Sequence, residues 1–152
     1  MEELSHKEQN FTKAFSTLDS GYRHYLKVKN HELAGLEEIL FQNKIDYQDE
    51  IFRSRDAMVQ RFEYTLEAFW KYLKLFLEAK TGPLQLTGSK NVVREAVRVR
   101  LIDESEGVLF LKMIDARNLT SHLYRLEIAQ MIEREISGFI EVLRIVSKRM
   151  SI

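Results

Sequence analysis

Residues 58–77 read MVQRFEYTLEAFWKYLKLFL, and the spacing of their apolar positions decides the fold. Met58, Phe62, Leu66, Phe69, Leu73 and Phe76 recur every three or four residues, the period that lines one face of an α-helix, and Val59, Trp70 and Leu77 widen the stripe. A half-buried strand would alternate at every second residue instead. Asp46, with Asp49 and Glu50 close behind, suits the start of this helix, because a carboxylate accepts from the free amides of the first turn and complements their partial charge. Thr81-Gly82-Pro83 suits its end: glycine takes the left-handed conformation of a C-terminal cap, and proline cannot extend a hydrogen-bonded turn.

The same period extends to both sides. Phe11, Phe15, Leu18, Tyr22 and Tyr25 form a stripe that predicts a first helix from about Lys7 to Lys29. Asn30 is placed to cap a short successor carrying Leu33, Leu36, Ile39 and Leu40 and ending near Asn43, unless that segment continues the first helix. Beyond a loop to about Gly88, Ser89 is placed to cap a helix reaching about Leu101. Val97 to Leu101 alternate as a strand would, but a lone five-residue strand has nothing to pair with. A turn over Asp103 to Gly107 then leads into a compact apolar helix with Val108, Leu109, Leu111, Met113 and Ile114. Ile128, Ile132, Ile136, Phe139, Leu143 and Val146 mark a last helix from about Leu126 to Lys148. The expectation is an all-α, up-and-down four-helix bundle with room for an additional short helix, one domain over residues 1–152. The aromatic stripe around Phe69 and Trp70 reads as core, and Tyr64 and Tyr72 read as interface residues.

Composition narrows the function. At 152 residues the chain can bury a core without staples, and with no cysteine it has neither disulfides nor a thiolate metal site. The 23 Lys and Arg balance the 23 Asp and Glu, so no global positive field draws nucleic acid, although Arg94, Arg98 and Arg100 could join Arg117 in a local basic site. The N-terminus lacks the basic start and apolar run of a signal peptide, and no apolar stretch has the length of a membrane span. A cytoplasmic protein is expected. His6, His24 and His31 lack metal-ligand spacing, so no metal centre is expected.

Chemistry concentrates in Asp115-Ala116-Arg117-Asn118-Leu119-Thr120-Ser121-His122-Leu123-Tyr124. A histidine that titrates near neutrality can take a proton, and an always-charged guanidinium can neutralise a phosphorane. On a continuous helix Asp115 and His122 share one face with Asn118 between them, so Asp115 could orient the imidazole. Arg117 and Tyr124 share nearly the opposite face. Either the helix breaks among the cap-favouring residues Asn118 to Ser121, or a second copy of the chain completes the site. The plain alternative makes Asp115 and Arg117 helix-end charges, His122 a C-terminal cap and Tyr124 a packed ring.

Residues 60–67 (QRFEYTLE), 69–74 (FWKYLK) and 93–96 (VREA), taken with Arg117, His122 and Tyr124 in an Arg-x4-His-x-Tyr pattern, resemble the HEPN superfamily. Within it the chain is most similar to nucleotidyltransferase substrate-binding proteins and HepT-like toxins. The resemblance covers roughly residues 55 to 145 and leaves the segment before about residue 50 unmatched. It implies a symmetric dimer that brings two motifs together in a groove, and a metal-independent endoribonuclease with His122 as general base and Arg117 as transition-state stabiliser. Asn118 and Asp115 would bind or orient. It further implies that a minimal nucleotidyltransferase partner silences the toxin by adding AMP to Tyr124. This chain lacks the Asp-x-Asp pair of such a transferase, so ATP would be used by the partner and no cofactor is held here. The alternative within the same family is a non-catalytic subunit that presents a substrate or nucleotide to the transferase. A bundle with no site at all is the third reading.

Overall fold

The computed structural model describes residues 1–30, 35–42, 46–122 and 126–150, with side chains at all of these except 36, 37, 39 and 120–122. Among the described residues six helices follow one another: α1 (Glu2–Lys29), α2 (Leu36–Gln42), α3 (Tyr47–Thr81), α4 (Ser89–Arg98), α5 (Glu104–His122) and α6 (Leu126–Arg149). No strand occurs among the described residues. The long helix expected from residues 58–77 is α3. The Asp46 carboxylate accepts from the Gln48 amide at 2.7 Å, and Gly82 closes the far end at φ 88°.

Side-chain pairs fix the directions of the four long helices. Phe11 packs on Phe69, Thr65 Oγ1 donates to the Ala14 carbonyl, and Tyr47 donates to the Val28 and Lys29 carbonyls, so α1 and α3 run antiparallel. Phe69 stacks on Phe110 with centroids 5.1 Å apart, while Glu67 lies beside Arg117, which makes α5 antiparallel to α3. Lys112 meets Glu135 and Glu106 meets Arg149, so α6 reverses again. The order is up, down, up, down. Leu18, Phe62, Phe69, Phe110, Phe139 and Leu143 are fully buried at the centre. Each such side chain contributes roughly 1.5–3 kcal/mol on leaving water.

Several boundaries differ from expectation. α1 starts at Glu2, and Asn30 closes it through its amide to the Leu26 carbonyl rather than opening α2. α2 is a separate helix from Leu36; Leu33 and Asn43 lie outside the described residues. Gly88, not Ser89, precedes α4, and no side chain caps it. α4 also stops at Arg98. Arg100 turns at φ 63°, and the amides of Leu101 and Ile102 return to the Ala96 carbonyl. The strand-like alternation of Val97 to Leu101 is therefore a tight reversal that sends Ile102 into the core.

Asp103 to Gly107 is not a turn but mostly the first turn of α5. The Asp103 carboxylate accepts from the Glu106 amide at 2.7 Å, and Glu106 reaches back to the Asp103 amide at 3.0 Å, a reciprocal cap. Gly107 faces α4 so closely that a Cβ there would lie 2.7 Å from Val97 Cγ2. Tyr72 is core rather than interface: it is buried and donates to the Met150 carbonyl at 3.3 Å. Burial, reinforced by the nearby Glu8 carboxylate, pushes its hydroxyl pKa up to about 12. Tyr64 is exposed.

Candidate functional site

α5 runs without a break from its Asp103 cap through Asn118, Leu119, Thr120 and Ser121 to His122. Of the two arrangements the sequence left open, the broken helix is therefore not the one observed. The His122 side chain and the whole of Tyr124 lie outside what the structure describes.

The described motif residues point to different neighbours. Asp115 pairs with Lys90 of α4 at 2.5 Å, with both side chains well exposed. Arg117 is half-buried and turned to α3, where its Nη2 lies 3.9 Å from Glu67 Oε2. Glu67 is itself held: Trp70 Nε1 donates to its Oε2 at 3.0 Å, and Lys71 Nζ sits 3.0 Å from its Oε1. Burial pushes the Glu67 carboxyl up, but the hydrogen bonds from Trp70 and Lys71, with the charges of Lys71 and Arg117, outweigh it and hold the group below the ordinary carboxylate range. It stays ionised at neutral pH.

Arg117 and Asn118 open onto a cavity of about 170 Å³ that is also lined by Leu66, Glu67, Trp70, Ser89 and Ile114. Leu66 and Ile114 are buried, Trp70 is half-buried and Asn118 is exposed, which gives an apolar floor beneath a polar rim. The local basic site imagined around Arg117 is divided. Arg94 and Arg98 line a separate cavity of about 510 Å³ with Thr81 and Pro83 to Leu86, and Arg98 is committed to Glu95 at 2.6 Å. Arg100 stands on the turn after α4.

Glu67 and Trp70 line this candidate site without standing out in the sequence, where the stripe around Phe69 and Trp70 is best explained as core. The available signal was the spacing of Glu67, Trp70 and Lys71: positions three and four apart on a helix meet at its surface. Among the described residues, no three His, Cys, Asp or Glu side chains gather where they could hold a metal ion, and no helix is long and apolar enough to cross a membrane.

A bundle of helices in which Arg117 and His122 of the Arg-x4-His-x-Tyr motif lie on the last turns of an unbroken α5 defines a class, and comparison with known proteins identifies it. A family model described as nucleotidyltransferase substrate binding protein like matches residues 7–152, and the chain belongs to that family. The match takes in the N-terminal segment in which no motif is legible. The chain is 31% identical over 125 residues to a Haemophilus influenzae protein named probable ribonuclease HepT, covering 76% of this chain and 84% of that one. It is also similar to a crystal structure of a Thermus thermophilus protein, at 40% identity with a TM-score of 0.61, covering 65% of this chain and 82% of that one.

Proposed function

We propose that this protein is a HepT-like endoribonuclease, a single cytoplasmic domain over residues 1–152 that works as a homodimer beside a minimal nucleotidyltransferase. The observation that carries the reading is the unbroken course of α5, which holds Arg117 at an open cavity and places His122 five residues further along the same rigid rod. The relative named as a probable ribonuclease supports the same reading. In this reading Arg117 of one protomer and His122 of its partner together serve each site of the symmetric dimer.

In the reaction His122 takes the proton of a ribose 2'-hydroxyl and the 2'-oxygen bonds to the adjacent phosphorus. The phosphorus–5'-oxygen bond then breaks, the leaving oxygen takes a proton from solvent, and a cyclic phosphate remains. Arg117 neutralises the charge that builds on the phosphorane, Asn118 holds phosphate or imidazole in place, and Asp115 orients the imidazole. Tyr124 is the acceptor of AMP from the partner, which consumes the ATP; bulk and negative charge two residues from His122 would exclude an RNA phosphate.

The test is RNA cleavage in the presence of a chelator, with His122→Ala purified in parallel to control for contaminating nuclease. Cleavage by the parent and at least a hundredfold less by the variant is the expected result. Equal activity in both, or none in either, removes the ribonuclease reading. The substrate-binding wording of the family description then favours a non-catalytic subunit that presents a nucleotide to the transferase.

A further inference from the structure

The cavity beside Arg117 is too small for a nucleotide and too apolar at its floor for a phosphate. Its volume of about 170 Å³ falls below the roughly 300–1,000 Å³ that encloses a drug-sized ligand. One flat ring system fits, with its sugar and phosphate left at the rim where Arg117 and Asn118 stand. Glu67 is the one carboxylate among the residues lining the cavity, fixed by Trp70 and Lys71, beside the polar side chains of Ser89, Arg117 and Asn118. An ionised carboxylate repels a phosphate and accepts hydrogen bonds without donating any. A group held by Glu67 must therefore present N–H donors.

We infer that this cavity is a base subsite that takes guanine from single-stranded RNA, with Trp70 as its wall and Glu67 as its specificity-determining residue. Guanine alone among the four bases offers two adjacent donors, N1–H and the exocyclic amine, that match the two oxygens of a carboxylate. Adenine and cytosine place an acceptor beside their amine, and uracil places its N–H between two carbonyls; each sets a lone pair against Glu67. Leu66 and Ile114 supply the apolar floor, as in other sites where unstacked bases are held beside aromatic side chains and read on their hydrogen-bonding edges. The same carboxylate lies 3.9 Å from Arg117 Nη2, so the base is fixed next to the guanidinium that faces the phosphate. The inference rests on the reading of Arg117 as the phosphate-facing group, and it extends that reading from RNA in general to RNA with guanine beside the cleaved bond.

The measurement is a titration of the full chain with each of the four ribonucleoside 5'-monophosphates, followed by calorimetry and by the emission of Trp70, the chain's one tryptophan. Guanosine monophosphate is expected to bind about tenfold or more tighter than the other three, because a site built to hydrogen-bond two donors strongly rejects bases that lack them. Glu67→Gln, which keeps the shape but introduces a donor, is expected to bring all four within about twofold of each other. Equal binding of all four nucleotides to the parent protein, absence of binding, or a guanine preference that survives Glu67→Gln overturns the inference. The comparison among nucleotides in the parent needs no variant, so a folding defect in Glu67→Gln leaves the test standing. Monophosphates have no bond to cleave. A guanine preference without RNA cleavage therefore removes the ribonuclease reading alone, and RNA cleavage without a guanine preference removes the subsite alone.

Discussion

The α1–α3 seam and the α3–α5 contact near Arg117 use the same helix, α3, by opposite means. Along the seam Phe11 packs on Phe15, Phe69 and Tyr72, and the side chains of Thr65 and Arg61 donate to the Ala14 and Thr17 carbonyls of α1. Gly21 admits Arg61 so closely that a Cβ there would lie 2.7 Å from its Nη1. Where α3 meets the motif, the contact is a loose ion pair, Glu67 with Arg117, above a cavity. One region gains from excluded water and close fit. The other keeps charge and open space, which cost stability and suit a ligand.

The comparison breaks most readily at the seam. Phe11→Ala removes a buried ring from three aromatic neighbours and is expected to cost about 3–5 kcal/mol in urea unfolding, with cleavage per folded molecule unchanged. Loss of cleavage in the folded variant would mean that the seam also sets the site. A smaller cost is expected where α5 begins. Asp103→Ala removes the reciprocal cap with Glu106 and should lower the denaturation midpoint, by less than Phe11→Ala does.

Tyr25 and Glu133 allow a test by pH. Burial raises the Glu133 carboxyl, but hydrogen bonds from Tyr25 and Lys29 and the charges of Lys29 and Arg55 outweigh it and leave the group depressed. Burial, then the hydrogen bond to Glu133, raises the Tyr25 hydroxyl well above its ordinary range. A depressed carboxyl stabilises the fold above its unfolded value of 4.5 and loses that contribution as pH falls through its folded value. A raised phenol stabilises below 10.0 and loses its contribution as pH rises. Tyr25→Phe is therefore expected to cost about 1 kcal/mol on a plateau between those limits, and the difference from the parent should shrink on both sides. A constant difference across acid would sever the link to Glu133.

Arg117→Ala should do least to the fold. Its pair with Glu67 is long and open to water, so thermal unfolding should change by less than about 1 kcal/mol while nucleotide binding and cleavage are lost. A large stability loss would place Arg117 with the seam residues and sharpen the comparison against the present reading.

The course of the long helices was legible because it rests on periodicity, which Met58, Phe62, Leu66 and Phe69 display over several turns. The local ends were less so. Asp103 and Glu106 hold the pattern of a reciprocal cap, but the intervening Glu104 and Ser105 and the nearby Gly107 read as turn chemistry; Glu106 also binds Arg149 from the end of α6, a contact no local window contains. Tyr72 was misplaced for a similar reason, since its hydroxyl partner is the distant carbonyl of Met150. At the site, Arg117 and Asn118 stood out by their type and spacing. Glu67 did not, because a carboxylate on an amphipathic helix is ordinary until α5 sets a guanidinium beside it.

Gly107 gives the cavity a remote adjustment. α4 passes Gly107 at Val97, near its C-terminal end, while Ser89 at its other end lines the cavity. Val97 is short and stiff at χ1, so a methyl at position 107 forces either an unfavourable Val97 rotamer or a shift of the helices. α4 is thus a lever: the glycine is its seat, Val97 its bearing and Ser89 its working end. A substitution two helical turns and more from Arg117 can widen or narrow the opening without touching any residue that lines it.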